Sequence, residues 1–246
     1  MWWLVSGINR PILEKYNGID SVGIFSVANK FPSLLTIVFG IFIYAWQISV
    51  LEEFNKPGYH NFYNKILRVI FFVLSFLTIA LNVSSEAIVS FIVDEKYYVS
   101  WQYIPILSIA VLFSSLAGFV GTNFSATRES KYYFYSSVWG AIASVVISYI
   151  LIPRYGMIGA SLSVVFSHVV MALSRIIYSW KIVKIDNMYI YICSLVTCIV
   201  SSYLTLALDS ILAKCLISCC LCLVLFYINK DAIASLKIYY SKLKSR

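Results

Sequence analysis

Tyr133 to Tyr178 reads YFYSSVWGAIASVVISYILIPRYGMIGASLSVVFSHVVMALSRIIY. Two apolar runs, Tyr133 to Ile152 and Met157 to Tyr178, flank a break at Pro153-Arg154-Tyr155-Gly156. A helix needs about 20 apolar residues to cross the hydrocarbon core at about 1.5 Å of rise per residue, because every backbone polar group must be satisfied inside the segment. Each run meets that need, and so short a break joins neighbouring antiparallel helices. Gly156, Gly159 and Ala160 place small residues at the start of the second run, where they allow helices to approach closely in a membrane. The glycines are no phosphate loop, since the Lys and Ser/Thr of that motif are missing.

Outward from this pair, five more runs are of similar kind: Ile24 to Ile48, Leu67 to Val89, Tyr103 to Phe124, Met188 to Leu208 and Ile211 to Ile228. Asn82, Ser84, Ser85 and Glu86 interrupt the second of these, so a span ending near Leu81 with an interfacial helix after it is expected. Composition agrees. Of 246 residues, 61% are hydrophobic and 12% charged, against roughly 25% charged in an ordinary soluble domain. A water-soluble fold of this length could not hide so much apolar surface. The expected fold is all-α: a polytopic transmembrane helix bundle of about seven complete spans, preceded by a truncated helix.

Charge placement predicts the sidedness. The net charge of +8 would suit nucleic acid only if basic residues formed a stripe interleaved with aromatics, and they cluster at the ends of apolar runs instead. One side holds Lys56, Lys65, Arg68, Arg128, Lys131, Arg175, Lys181, Lys184 and Lys230, with Lys237, Lys242, Lys244 and Arg246 in the tail. The other holds Arg10, Lys15, Lys96, Arg154 and Lys214, a count of thirteen against five. Lys and Arg concentrate in short cytoplasmic loops, so the C-terminal tail is expected in the cytoplasm. Met1 to Asn9 then looks like the stub of a further helix ending on the outer side, without the basic leader and small-residue site of a cleavable signal. From this the chain is expected to be the C-terminal portion of a longer transporter.

Few residues suggest chemistry. The cysteines, Cys193, Cys198, Cys215, Cys219, Cys220 and Cys222, lie in apolar runs without His or acidic neighbours, so no metal or cofactor is expected. The histidines are His60, in a loop, and His168, within a span, where it either joins a proton relay or bonds between helices. No nucleophile, base and orienting group come together, which predicts a protein that is not an enzyme. Ionisable groups inside spans are costly in hydrocarbon and mark candidate sites. Lys30, just before Pro32, either lines a water-filled cavity that attracts an anionic head group or snorkels to the interface. Arg10, at the end of the stub, and Arg175, expected in a last turn, carry the same two readings.

The residues also resemble a family. Asn9 to Ala45, with Arg10, Gly18 and the run Val22-Gly23-Ile24-Phe25-Ser26-Val27-Ala28-Asn29-Lys30, followed by Ala45-Trp46, is similar to the seventh-to-eighth helix region of polysaccharide flippases. Ile152-Pro153-Arg154-Tyr155-Gly156-Met157-Ile158-Gly159-Ala160 resembles the turn those proteins carry between their eleventh and twelfth helices. The turn from Asp94 to Tyr98 before Pro105-Ile106-Leu107 fits the same order. The similarity, over nearly the whole chain, is to Wzx-type O-antigen and polysaccharide flippases of the MATE-like exporter superfamily. It implies a second six-helix lobe over residues 1–180, its first helix truncated, and two additional C-terminal helices with a basic tail over residues 181–246. It implies transfer of an undecaprenyl-pyrophosphate-linked oligosaccharide of lipopolysaccharide or another surface glycan across the bacterial inner membrane. Lys30, Arg10 and Arg175 would contact that cargo. Membrane lipids and other polysaccharide-assembly proteins would be the partners, and nucleic acid would not. A cation-coupled multidrug exporter of the same superfamily, a polysaccharide-assembly enzyme such as an O-antigen polymerase, and a structural membrane subunit are the competing readings.

Overall fold

The computed structural model describes residues 7–208 and 210–230, and every described element is helical. Residues 1–6 of the expected stub, and the tail bearing Lys237, Lys242, Lys244 and Arg246, lie outside the described residues. The helices are α1 (Asn9–Asn17), α2 (Ile19–Glu53), α3 (Tyr59–Ile92), a 3₁₀ segment (Glu95–Gln102), α4 (Ile104–Ala126), α5 (Ser130–Ser179), α6 (Met188–Ala207) and α7 (Ile211–Ile228). Helices α2 to α6 are long and apolar enough to cross a membrane, and α7 is a shorter apolar helix. The protein is therefore a multi-pass helix bundle.

Helix α5 is two antiparallel arms. Gly156 has φ +55° and ψ −126°, a left-handed conformation that favours glycine, and the chain turns back there. A Cβ on Gly159 would collide with the carbonyl of Leu151, and one on Gly140 would lie 3.0 Å from Cβ of Met171. The Pro153–Ala160 turn is thus built from residues small enough for the arms to touch along their length.

One expectation is corrected. Helix α3 does not stop near Leu81 but runs unbroken to Ile92, and the separate short helix is the following 3₁₀ segment. The polar cluster is accommodated inside the helix. Ser84 and Ser85 return their hydroxyls to carbonyls three or four residues back, while Asn82 donates to Ser202 at 3.0 Å and accepts from Ser108 at 2.9 Å. Those bonds tie α3 to α6 and α4. The stretch after the expected stub is itself helical, since α1 begins at Asn9 and runs to Asn17, where Gly18 breaks it. Asn9 is buried and accepts from Ser148 and Ser163, one on each arm of α5.

Lys96 and Lys214, assigned to one side, lie at one end of the bundle, and Arg68 and Lys184, assigned to the other, lie at the opposite end. At one end, Lys96 pairs with Asp20 at 3.1 Å, Asn17 lies against Gly156, and the buried Lys214 meets Glu86 at 2.5 Å. At the other, Asn64 bonds both the Lys184 carbonyl and the Asp186 amide, and Arg68 reaches the carbonyl of Ile228. An aromatic cluster packs this second end: Trp46 stacks on Phe119 with ring centroids 4.6 Å apart, and Tyr63 lies 4.9 Å from Phe119. Trp46 donates to Thr122 at 3.1 Å and Tyr59 to Asn123 at 2.9 Å. Interhelical hydrogen bonds in membranes average about 0.6 kcal/mol, so these mainly fix register, and close packing supplies most of the stability.

Candidate functional site

The surface of α2 divides by angle. At 100° per residue, Phe25, Ala28, Pro32, Leu35, Phe39 and Trp46 share one direction and are all buried. The flank on one side of that face carries Val27, Phe31, Leu34, Val38 and Ile41, as a lipid-facing surface would. The opposite flank carries Ser26, Asn29, Ser33, Thr36 and Gln47. Lys30 points away from the buried face and is exposed, with no ion pair among the described residues. It stands eleven residues past Ile19, or about 16 Å along the helix at 1.5 Å per residue.

Beside the polar flank runs an open groove of ≈ 300 Å³ between α2, α4 and the second arm of α5. Asn29, Ser33 and Thr36 line it from α2, Ser114 from α4 and His168 from α5, over an apolar floor that includes Leu107 and Val164. Pro32, which lines it too, leaves its helix without one amide donor and so loosens the ladder where the groove opens. The groove-lining hydroxyls and amide are not among the residues that the sequence singles out. Their signal is the angular separation of polar and apolar residues along α2.

Of the three residues expected to hold cargo, none lines the groove, and they occupy different surroundings. Lys30 is the neighbour of Asn29 and emerges beside the polar flank. Arg10 is exposed in the first turn of α1, next to Asn9, which meets Ser148 and Ser163. Arg175 is only 3% exposed and is built into a helix seam. Its guanidinium donates to the carbonyl of Ala117 at 2.8 Å, to Ser136 at 3.1 Å and to Ser137 at 3.2 Å, and lies over the ring of Tyr133 at 4.1 Å. Enclosed between α4 and the first arm of α5, with its charge facing an aromatic ring, Arg175 has no open side to offer a ligand. The sequence shows the arginine but not which face of its helix turns inward.

Glu86 is also committed. It binds Lys214 at 2.5 Å and accepts from Tyr98 at 3.1 Å, and the same ammonium lies 4.9 Å from the centroid of Trp101. The acidic group is thus part of a staple between α3, the 3₁₀ segment and α7, away from the groove.

No protein-family model matches the chain. Over 178 residues it is 26% identical to the capsular polysaccharide biosynthesis protein CapF of Staphylococcus aureus, a match that covers 70% of this chain and 44% of that protein. Its fold matches a solved structure of the lipid II flippase MurJ in an inward closed conformation with a TM-score of 0.66, at 18% identity, covering 98% of this chain and 52% of the other. The chain thus spans about half the length of each protein it resembles.

Proposed function

We propose that this chain is one lobe of a flippase for lipid-linked glycans. In this reading it moves undecaprenyl-pyrophosphate-linked oligosaccharide, the repeat unit of O-antigen or of another surface polysaccharide, from the cytoplasmic to the periplasmic leaflet of a bacterial inner membrane. The observation that carries the reading is α2: a cation within an apolar run, opposite the buried face and beside a polar flank, on a chain whose fold matches half of a flippase. A lysine within the apolar run becomes inexpensive once it faces a wet cavity.

Such a cavity needs two walls. The reading supplies the second as a complementary lobe, with transport by rocking of the two lobes about the enclosed site. Residues 1–180 then form the lobe and residues 181–246 add two helices and a cytoplasmic tail, for seven crossings beyond α1. Lys30 and Arg10 hold the pyrophosphate by charge-assisted contacts while the prenyl chain stays in lipid. Arg175 bears on cargo only through the seam it holds beneath the groove.

The test is surface-glycan display in a cell lacking its own flippase, supplied with this chain alone or together with a complementary first lobe. The expected result is no display from the chain alone, display from the pair, and its loss with Lys30→Met. Display from the chain alone, or undiminished display with Lys30→Met, would reject the reading.

A further inference from the structure

Among the described residues that line the groove, His168 is the one titratable group. It lies twelve residues beyond Gly156, about 18 Å along the arm, so it and Lys30 stand at nearly one depth from the same end of the bundle. The side chain is 6% exposed, and its Nδ1 lies 2.8 Å from the carbonyl of Val164. A carbonyl can only accept, so Nδ1 carries the proton and Nε2 of the neutral ring keeps its lone pair. Nε2 has no hydrogen-bond partner among the described residues, although the ring borders the groove.

The opposite wall repeats the pattern. Asn29 gives one of its two amide N–H groups to the carbonyl of Phe25 at 2.8 Å and keeps Oδ1 free, and Ser33 gives its hydroxyl proton to the carbonyl of Lys30, which leaves its oxygen lone pairs. The groove therefore presents neutral acceptors at His168 Nε2, Asn29 Oδ1 and Ser33 Oγ beside the Thr36 and Ser114 hydroxyls, which can donate or accept, and among the described residues no cation lines it. A diphosphate, which brings negative charge, finds no Lys or Arg among the residues that line this wall. A ligand rich in O–H and N–H donors is well matched. The volume of ≈ 300 Å³ is at the small end of ligand pockets, which run from about 300 to 1,000 Å³.

We infer that this groove is a sugar subsite: it takes one hydroxyl- or acetamido-bearing ring of the cargo, read by His168 Nε2, Asn29 Oδ1 and Ser33 Oγ, while the diphosphate stays outside near Lys30. The inference rests on the cargo reading above. It divides recognition by chemistry, with cations for the diphosphate and neutral acceptors for the glycan.

Only two histidines occur in the chain, so His60→Asn leaves a single imidazole for ¹⁵N NMR. That chain, in nanodiscs, is titrated with undecaprenyl pyrophosphate and with the same lipid carrying N-acetylglucosamine, binding of each being followed by tryptophan fluorescence. The expected result is that both lipids bind, that only the sugar-bearing one moves the Nε2 resonance, and that His168→Phe weakens the sugar-bearing lipid about tenfold, the loss of roughly one hydrogen bond. His168→Gln, which keeps an acceptor, recovers part of the loss. Equal Nε2 shifts with both lipids, or no shift although the sugarless lipid binds, would overturn the subsite and leave the cargo reading standing. Binding of neither lipid would remove both.

Discussion

Helices α2 and α4 are comparably apolar, yet their most apolar stretches are 22% and 72% buried. Apolarity in a membrane protein reports contact with lipid or with protein alike, since both solvents are oily, so it does not decide which helix is interior. What distinguishes the two is where small and polar residues sit. Helix α4 places Gly118, Gly121, Ser108, Ser115, Thr122 and Asn123 against its neighbours, and every one of those four polar side chains is buried. On α2 the hydroxyls and amides lie on a flank that protein leaves uncovered. Polar atoms turned inward tie helices together, and polar atoms left outside await a ligand or a second wall.

Substitutions can break that contrast, beginning where α4 holds the most. Replacing Arg175 by Leu strips the donors from the Ala117 carbonyl and from Ser136 and Ser137, and it should cost about 3 kcal/mol. A large fall in the thermal midpoint of the detergent-solubilised protein is the readout, and an unchanged midpoint would mean that the seam does not depend on the guanidinium. Next comes Gly121→Ala, whose new methyl would lie 2.9 Å from the ring of Tyr133 and 3.0 Å from Arg175, for an overpacking penalty of about 1–3 kcal/mol in the same melting experiment.

Asn123→Ala leaves the hydroxyls of Tyr59 and Ser179 without their partner, a loss of about 1 kcal/mol measurable by unfolding in mixed micelles. The smallest effect belongs to α2. A methyl added at Gly40 would meet nothing within 4 Å, so Gly40→Ala should be neutral or stabilise by about 0.5–1 kcal/mol through helix propensity. A penalty at Gly40 as large as that at Gly121 would show that α2 is covered by protein after all.

The readable parts of the sequence are those with a periodic or local cause. The break at Pro153–Gly156 shows the hairpin because proline and left-handed glycine act on the backbone itself. The alternation of basic residues separates the two ends of the bundle because charges avoid hydrocarbon wherever the helices pack. Tertiary partners are invisible: Asn82 and Ser85 read as the end of a span, since nothing local shows that Ser108 and Ser202 will satisfy Asn82. Arg175 is legible as a cation near a helix end but not as one enclosed between helices, and the groove needs three helices before it exists.

The Glu86–Lys214 staple joins residues 128 apart in sequence. Chains lengthen at about 5–20 residues per second, so the carboxylate emerges from the ribosome roughly 6–25 seconds before the ammonium that neutralises it. During that interval Glu86 has only the Tyr98 hydroxyl, twelve residues on, and no cation to pair with. Arrival of α7 supplies the ammonium, so this contact between distant parts of the chain forms late in synthesis.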